Sequence, residues 1–74
     1  MSRLPVPTTV LVSSVLARMT YSRDATLELV FRSGTIYRYF AVPRAIVDGL
    51  IVAESKGAYF NTHVRNRFRY QRVA

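Results

Sequence analysis

The spacing of apolar residues changes once along this chain, from every second position to every third or fourth, and this change constrains the fold most strongly. Positions 15–21 and 27–31 alternate between apolar and polar residues, as half-buried strands do. A third stretch, Thr35 to Phe40, is rich in β-branched and aromatic residues and predicts a third strand. The turns at Ser22 to Ala25 and at Arg32 to Gly34 are short, so we predict an antiparallel meander.

The length of the second turn decides which side chains share a face. A two-residue loop would place Arg38 opposite Leu29, leaving a charge among apolar neighbours. A three-residue loop, with Gly34 in the left-handed conformation, pairs Glu28 with Arg38 instead, and we predict this register. The predicted core face carries Ala17, Met19, Leu27, Leu29, Phe31, Tyr37 and Tyr39, and the outer face carries Arg18, Val30, Arg32, Ile36, Arg38 and Phe40.

The helical spacing begins after Val42-Pro43, where proline suits the first turn of a helix. An apolar stripe predicts a helix from about Pro43 to Ala53 that covers the core face, and it consists of Ile46, Val47, Leu50 and Ile51. Ser55 is a candidate cap for a short second helix that ends near His63. The stretch from Arg67 to Val73 alternates weakly and fits either a fourth strand or an extended tail. The expected fold class is therefore α+β, a three- or four-stranded antiparallel meander followed by one or two helices packed on one face.

A chain of 74 residues predicts one domain, near the lower size limit for a stable core, which makes partners or self-association helpful. The segment Met1 to Thr9 is interpreted as a flexible or extended arm, so we divide the chain into an arm (1–13) and a domain (14–74). The absence of cysteine fits the reducing cytoplasm. The longest apolar stretch is far shorter than the ~20 residues of a membrane span, and we expect no membrane anchor.

Arginine dominates the basic residues, with ten arginines, one lysine and a formal net charge of +7. Because the guanidinium group binds phosphates through paired hydrogen bonds and stacks on rings, this bias favours an anionic partner, with RNA or another nucleic acid first. The candidate anion-binding residues are Arg38, Lys56, Arg65, Arg67, Arg69 and Arg72. Aromatic residues among or near these cations could stack on bases, and the candidates are Tyr59, Phe68 and Tyr70.

Catalysis is not expected, because the four carboxylates are scattered and no nucleophile with a base accompanies them. One histidine and no cysteine also predict no metal site, and no cofactor is expected.

Two other functions remain open. An apolar outer face of Val30, Ile36 and Phe40 could serve a protein-protein or self-assembly module, with the arginines aiding solubility. A homo-oligomer could instead bind a small nucleotide-like anion between protomers.

Several of these residues together resemble the KTSC domain, named for its occurrence at the C-terminus of some lysyl-tRNA synthetases. The resemblance runs from about Ser14 to Arg72 and depends on a Tyr-x-Tyr element and a Gly-x-x-Phe-Asn element, with the residues Tyr37, Tyr39, Gly57, Phe60 and Asn61. Where the family often has Tyr-Pro-Tyr near its end, this chain has Phe68-Arg69-Tyr70. The resemblance implies a domain that also occurs alone in bacterial and phage-borne proteins, and it implies RNA binding.

Three elements of this motif have alternative interpretations. Tyr37 and Tyr39 could stack on bases, but the predicted register turns them towards the first helix. Lys56-Gly57 could form a phosphate cradle or a turn between helices, and we favour the turn. Asn61 could read a base edge or cap the second helix, and capping is slightly favoured.

Overall fold

A computed structural model describes the chain at residues 6–10, where it gives the backbone alone, and at residues 13–74. It contains one antiparallel sheet whose strands are arranged in sequence order. Two helices lie between the fourth and the fifth strand in the sequence. The strands are β1 (Val6–Val10), β2 (Leu16–Tyr21), β3 (Leu27–Phe31), β4 (Ile36–Tyr39) and β5 (Tyr70–Arg72), and the helices are α1 (Arg44–Val52) and α2 (Lys56–His63). The α+β prediction is thereby confirmed.

The sheet has five strands, one more than the larger number predicted from the sequence. The added strand is β1, which pairs antiparallel with β2 and lies within the segment predicted to be an arm. Its Pro7 lacks an N–H donor, which an edge strand tolerates because one of its sides pairs with no neighbour. The rest of the predicted arm, apart from Ser13, lies outside the described residues. The stretch from Arg67 to Val73, predicted as either strand or tail, contains β5.

The predicted register of the second hairpin is confirmed. Glu28 lies opposite Arg38, and Leu29 lies opposite Tyr37. The Arg38 guanidinium donates to the Glu28 carboxylate at 2.8 Å, and Gly34 has a φ of +94°, in the left-handed region that the three-residue loop requires. The ion pair and the left-handed glycine, the two features expected of this register, are therefore both present.

Strand β2, the first of the predicted strands, differs from the prediction near its beginning. Strict alternation placed Ala17 in the core, whereas the structure buries Leu16 completely and leaves Ala17 half-buried. The cause is a bulge between Leu16 and Arg18, which shifts the pairing with β3 by one residue. From Met19 onwards the strand follows the predicted alternation.

Both helices cover the inner face of the sheet and complete one core. The residues buried in this core are Leu16, Met19, Tyr21, Leu27, Leu29, Tyr39, Val42, Val47, Leu50, Phe60 and Val64. Phe31, Tyr37 and Ile46 pack against the core while partly buried. Ile51 was predicted within the apolar stripe of α1, but it lies at the edge of the covered face and is 36% exposed.

Local contacts explain the helix boundaries. Pro43 is the N-cap of α1, one position before its predicted place, and Arg44 pairs with Asp48 at 3.0 Å on the solvent side. Ser55 caps α2 as predicted, because its hydroxyl accepts a hydrogen bond from the amide of Ala58. Gly49, which weakens a helix, is required inside α1, because a Cβ there would overlap the ring of Tyr59.

Candidate functional site

The two helices leave part of the inner sheet face open, and the gap between α2 and the sheet forms a groove of about 1130 Å³. We call this the aromatic groove, because its floor consists of the rings of Phe31, Tyr37, Tyr39, Phe60 and Tyr70. Its walls carry polar residues from four segments: the one before β2, the β3–β4 turn, the turn between the helices, and α2 with the residues after it. These residues include Ser13, Ser14, Arg32, Glu54, Ser55, Lys56, Asn61, Arg65 and Asn66. The groove is thus aromatic at its base and polar at its rim.

The rings of the floor are fixed against one another. Phe60 of α2 contacts Phe31 edge-on with ring centroids 5.3 Å apart, and it contacts Tyr39 edge-on at 5.8 Å. Tyr37 contacts both Phe31 at 5.8 Å and Tyr70 at 5.5 Å in the same manner. Such pairs contribute about 0.5–1.5 kcal/mol each beyond their burial. A ligand would therefore meet a floor that is already ordered.

Among the described residues, three cations line the groove, and they differ in what they contact. The Nε of Arg32 donates to the carbonyl of Ser13. The Nζ of Lys56 donates to the carbonyl of Ala53 at 2.7 Å and to that of Ile51 at 3.1 Å, so it binds the C-terminal end of α1. Arg65 is exposed at the rim, close enough to Tyr39 for its charge to affect that hydroxyl. Arg65 is therefore the cation best placed to meet an anion in the groove.

The other arginines predicted to bind an anion do not line the aromatic groove. Arg38 lies on the outer face in its ion pair with Glu28. Arg69 also lies on that face, with its guanidinium carbon 6.0 Å from the centre of the Phe40 ring. Arg72 is aligned with Tyr37 across the β4–β5 pair, and its Nε donates to the carbonyl of Ala74 at 3.2 Å. Arg67 is exposed beyond α2.

The three candidate stacking residues also separate. The Tyr59 hydroxyl donates to the carbonyl of Ile46 at 2.8 Å, and its ring lies tilted against that of His63 with centroids 4.4 Å apart, so Tyr59 does not line the groove. Phe68 packs against the core. Tyr70 lies in the groove and is 57% exposed, while its ring contacts those of Tyr37 and Tyr39. Of the three, Tyr70 alone offers an exposed ring in the groove.

All five residues of the predicted motif line the aromatic groove: Tyr37, Tyr39, Gly57, Phe60 and Asn61. Asn61 lies inside α2, exposed, and the helix is capped by Ser55 and ends at Val64, so the capping interpretation is wrong. Gly57 lies in the first turn of α2 without a positive φ, so the interpretation as a turn glycine is also wrong. A Cβ at Gly57 would lie 3.3 Å from the Val15 side chain, which makes close approach its reason.

Sequence reasoning missed several groove residues. Phe31 was assigned to the core alone, and Arg32 was assigned to the outer face, although both line the groove. Ser13, Ser14 and Asn66 also line it and received no role. These five residues come from the segment before β2, the end of β3 with the turn after it, and the segment after α2, and no short sequence pattern connects such distant segments.

Burial raises the pKa of Tyr39 to about 12, with further contributions from Tyr37 and Tyr70 and an opposing one from Arg65. Because the pKa of an unfolded tyrosine is about 10, the folded state favours the protonated hydroxyl. This contribution to stability is complete below pH 10 and is lost as the pH rises from 10 towards 12. Burial and the charge of Asp48 raise the pKa of Tyr59 in the same direction.

We therefore expect the free energy of unfolding, measured with urea, to decrease between pH 10 and 12. The Tyr39→Phe variant keeps the ring and lacks the ionisable hydroxyl, so its decrease should be smaller. Equal decreases for the two proteins would show that Tyr39 ionises no differently in the folded and unfolded states.

The described residues hold no group of three or more histidine, aspartate or glutamate side chains arranged to bind a metal ion. Three of the four carboxylates have structural partners: Asp24 accepts from Ser22 within a turn, Glu28 pairs with Arg38, and Asp48 pairs with Arg44. Neither α1 nor α2, the helices of the described part, has the length and apolar character needed to cross a bilayer.

Comparison with known protein families identifies the family of this chain. The family model described as KTSC domain matches residues 12–68, which include every residue that lines the aromatic groove except Tyr70. The chain belongs to the KTSC domain family. The predicted resemblance is thereby confirmed.

The fold of a KTSC domain protein from Yersinia pestis, known from a crystal structure, is similar over most of its length. The match has a TM-score of 0.87 and 25% sequence identity, and it covers 92% of this chain and 97% of the other. An uncharacterized protein from Stutzerimonas stutzeri is 40% identical over 63 residues, which are 82% of this chain and 89% of that protein. The KTSC domain therefore also forms most of the length of other small proteins.

The chain is also similar to a short part of several lysine–tRNA ligases. It is 34% identical over 62 residues to the ligase of Nostoc punctiforme, which covers 82% of this chain and 11% of the ligase. It is 43% identical over 49 residues to the ligase of Nostoc sp., covering 66% of this chain and 9% of the ligase. This chain thus spans about a tenth of the length of these relatives.

Proposed function

We propose that this KTSC domain binds RNA, and that the aromatic groove with Arg65 at its rim is the binding site. The observation that carries the proposal is that the five motif residues, scattered over β4 and α2, all line this one groove. A groove that served packing alone would be filled by apolar side chains, whereas this one is open and rimmed by cations, amides and hydroxyls.

The charge of the protein supports an anionic ligand. The formal net charge is +7, and Arg32, Lys56 and Arg65 line the groove against one carboxylate, that of Glu54. Arginine suits phosphate because its planar donors match two phosphate oxygens at once, as they also match the two oxygens of a carboxylate. Aromatic rings beside such cations add stacking with nucleobases, worth about 1 to 3 kcal/mol per base.

The relatives support RNA as the particular polyanion. Three proteins that contain a similar segment, from Nostoc punctiforme, Trichormus variabilis and Nostoc sp., are named as lysine–tRNA ligases, and the name refers to an RNA. A domain shared between such ligases and small independent proteins fits a binding module better than a catalytic one. The pairing of three of the four carboxylates in this chain also supports a role without catalysis. A domain that binds RNA would act in the cytoplasm, and the absence of cysteine fits that location.

The outer face offers less support for a protein-protein module. Val30, Ile36 and Phe40 lie there half-buried, but the charged pair of Glu28 and Arg38 lies among them. Interface centres are depleted of charged residues, so this face lacks the usual composition of an apolar contact.

Titration of the protein into a labelled single-stranded RNA at several salt concentrations tests the proposal. Each phosphate contact with a single strand contributes about 0.7 to the slope of log affinity against log salt, so two or more contacts predict a slope of about −1.4 or steeper. Binding that is absent at low salt would contradict the proposal. Binding with no salt dependence would point to an apolar interface instead.

A further inference from the structure

We infer that the aromatic groove takes unpaired nucleotides, with a base stacked on Tyr70, and that it does not take duplex RNA. This inference deepens the proposed function and depends on it. It concerns which form of nucleic acid enters the groove, whereas the proposed function requires only that RNA binds.

The position of Tyr70 is the first reason. Its ring is 57% exposed, yet it is held from behind by Tyr37, with centroids 5.5 Å apart, and by Tyr39 at 5.8 Å. A ring that is both exposed and already oriented can stack on a base with little loss of conformational freedom. A duplex keeps the faces of its bases stacked on one another, so it cannot present one to this ring.

The size of the groove is the second reason. Pockets for single drug-sized molecules have volumes of roughly 300 to 1,000 Å³. The aromatic groove, at about 1130 Å³, exceeds that range, so it has room for more than one nucleotide unit. Because it lies between a helix and a sheet, it suits an extended strand better than the wide cylinder of a duplex.

The polar groups of the wall are the third reason. Asn61 and Asn66 line the groove with amides that both donate and accept hydrogen bonds, and Ser13 and Ser14 add hydroxyls. These groups match the Watson–Crick edges of bases, which are available only when the bases are unpaired. Arg65, at the same end of α2 as Asn61, is placed to bind the phosphate that follows a stacked base.

The test compares one labelled RNA sequence as a single strand, as a duplex and as a single strand whose central nucleotides lack bases. We expect the intact single strand to bind most tightly. The abasic strand, which keeps its phosphates, should lose affinity roughly 5- to 150-fold, the equivalent of one stacked base. The duplex should bind only as weakly as the abasic strand.

Two variants distinguish the contribution of the Tyr70 ring to binding from that of its hydroxyl. Tyr70→Ala should lose affinity for the intact strand by a similar factor and should not change affinity for the abasic strand, whereas Tyr70→Phe should bind the intact strand nearly as the natural protein does. Thermal unfolding of each variant checks that it remains folded. Equal binding of duplex and single strand, or no effect of Tyr70→Ala in a folded variant, would overturn the inference while leaving RNA binding intact. Failure of all three RNAs to bind would overturn both proposals.

Discussion

Replacing Leu29 with alanine is expected to lower the free energy of unfolding by about 2 to 5 kcal/mol, enough to unfold much of a domain this small. Leu29 lies at the centre of β3, where it is completely buried between Met19 and Tyr37 on the neighbouring strands. Alanine removes the apolar contacts and leaves a cavity that the surrounding sheet cannot close without moving.

Urea unfolding, followed by circular dichroism, measures this loss, and Val30→Ala supplies the control. Val30 is the next residue of the same strand, half-buried on the outer face, so its truncation disturbs the same β-structure without opening the core. We expect a much smaller loss for this control. Similar losses for the two variants would contradict the assignment of the inner face as the core.

The register of the second hairpin could be predicted because several independent requirements coincided. A charge had to avoid the core, Gly34 had to take a left-handed conformation, and Glu28 had to find a cation. A single loop length satisfies all of them. The helices were predictable for a similar reason, since Pro43 and Ser55 mark their starts and an apolar stripe marks the buried side of α1.

The bulge in β2 and the strand β1 could not be predicted in the same way. Ala17 is apolar, so strict alternation through it looked as regular as the observed shift to Leu16. The sequence of β1 contains Pro7, which usually argues against a strand, and its pairing with β2 depends on an edge of the sheet that sequence does not show. In both places the decisive contact comes from a distant strand.

The sequence predicts which types of residue form the candidate site, but it predicts their positions in the fold only in part. The arginines near the end of the chain looked like one cluster, but alternation in the last segment sends Arg69 to the outer face, while Arg65, just after α2, lies at the groove. The motif residues were named from their resemblance, and the structure adds that they share a groove with residues such as Phe31 and Asn66.

The separation of Arg65 from Arg69 predicts unequal effects of two substitutions with the same change in charge. Arg65→Gln should weaken binding of single-stranded RNA roughly tenfold or more, because a hydrogen bond to a charged group contributes about 1.5 to 3 kcal/mol. The slope of log affinity against log salt should also decrease in magnitude by about 0.7. Arg69→Gln should have a much smaller effect, because its guanidinium lies over Phe40 on the outer face.

Arg23→Gln is the matched control. Arg23 is exposed in the turn between β2 and β3 and does not line the groove, so this variant has the same net charge as the other two. All three substitutions change an exposed side chain, so we expect thermal stability to remain close to that of the natural protein. Because the three variants have the same net charge, any difference in their affinities for RNA reflects the position of the arginine that was replaced.

The measurement that tests the groove most directly is the affinity of these three variants for one single-stranded RNA at one salt concentration. The proposed site predicts a large loss for Arg65→Gln and affinities close to that of the natural protein for Arg69→Gln and Arg23→Gln. Equal losses for all three would mean that RNA is attracted by net charge alone, and a loss confined to Arg69→Gln would place the site on the outer face.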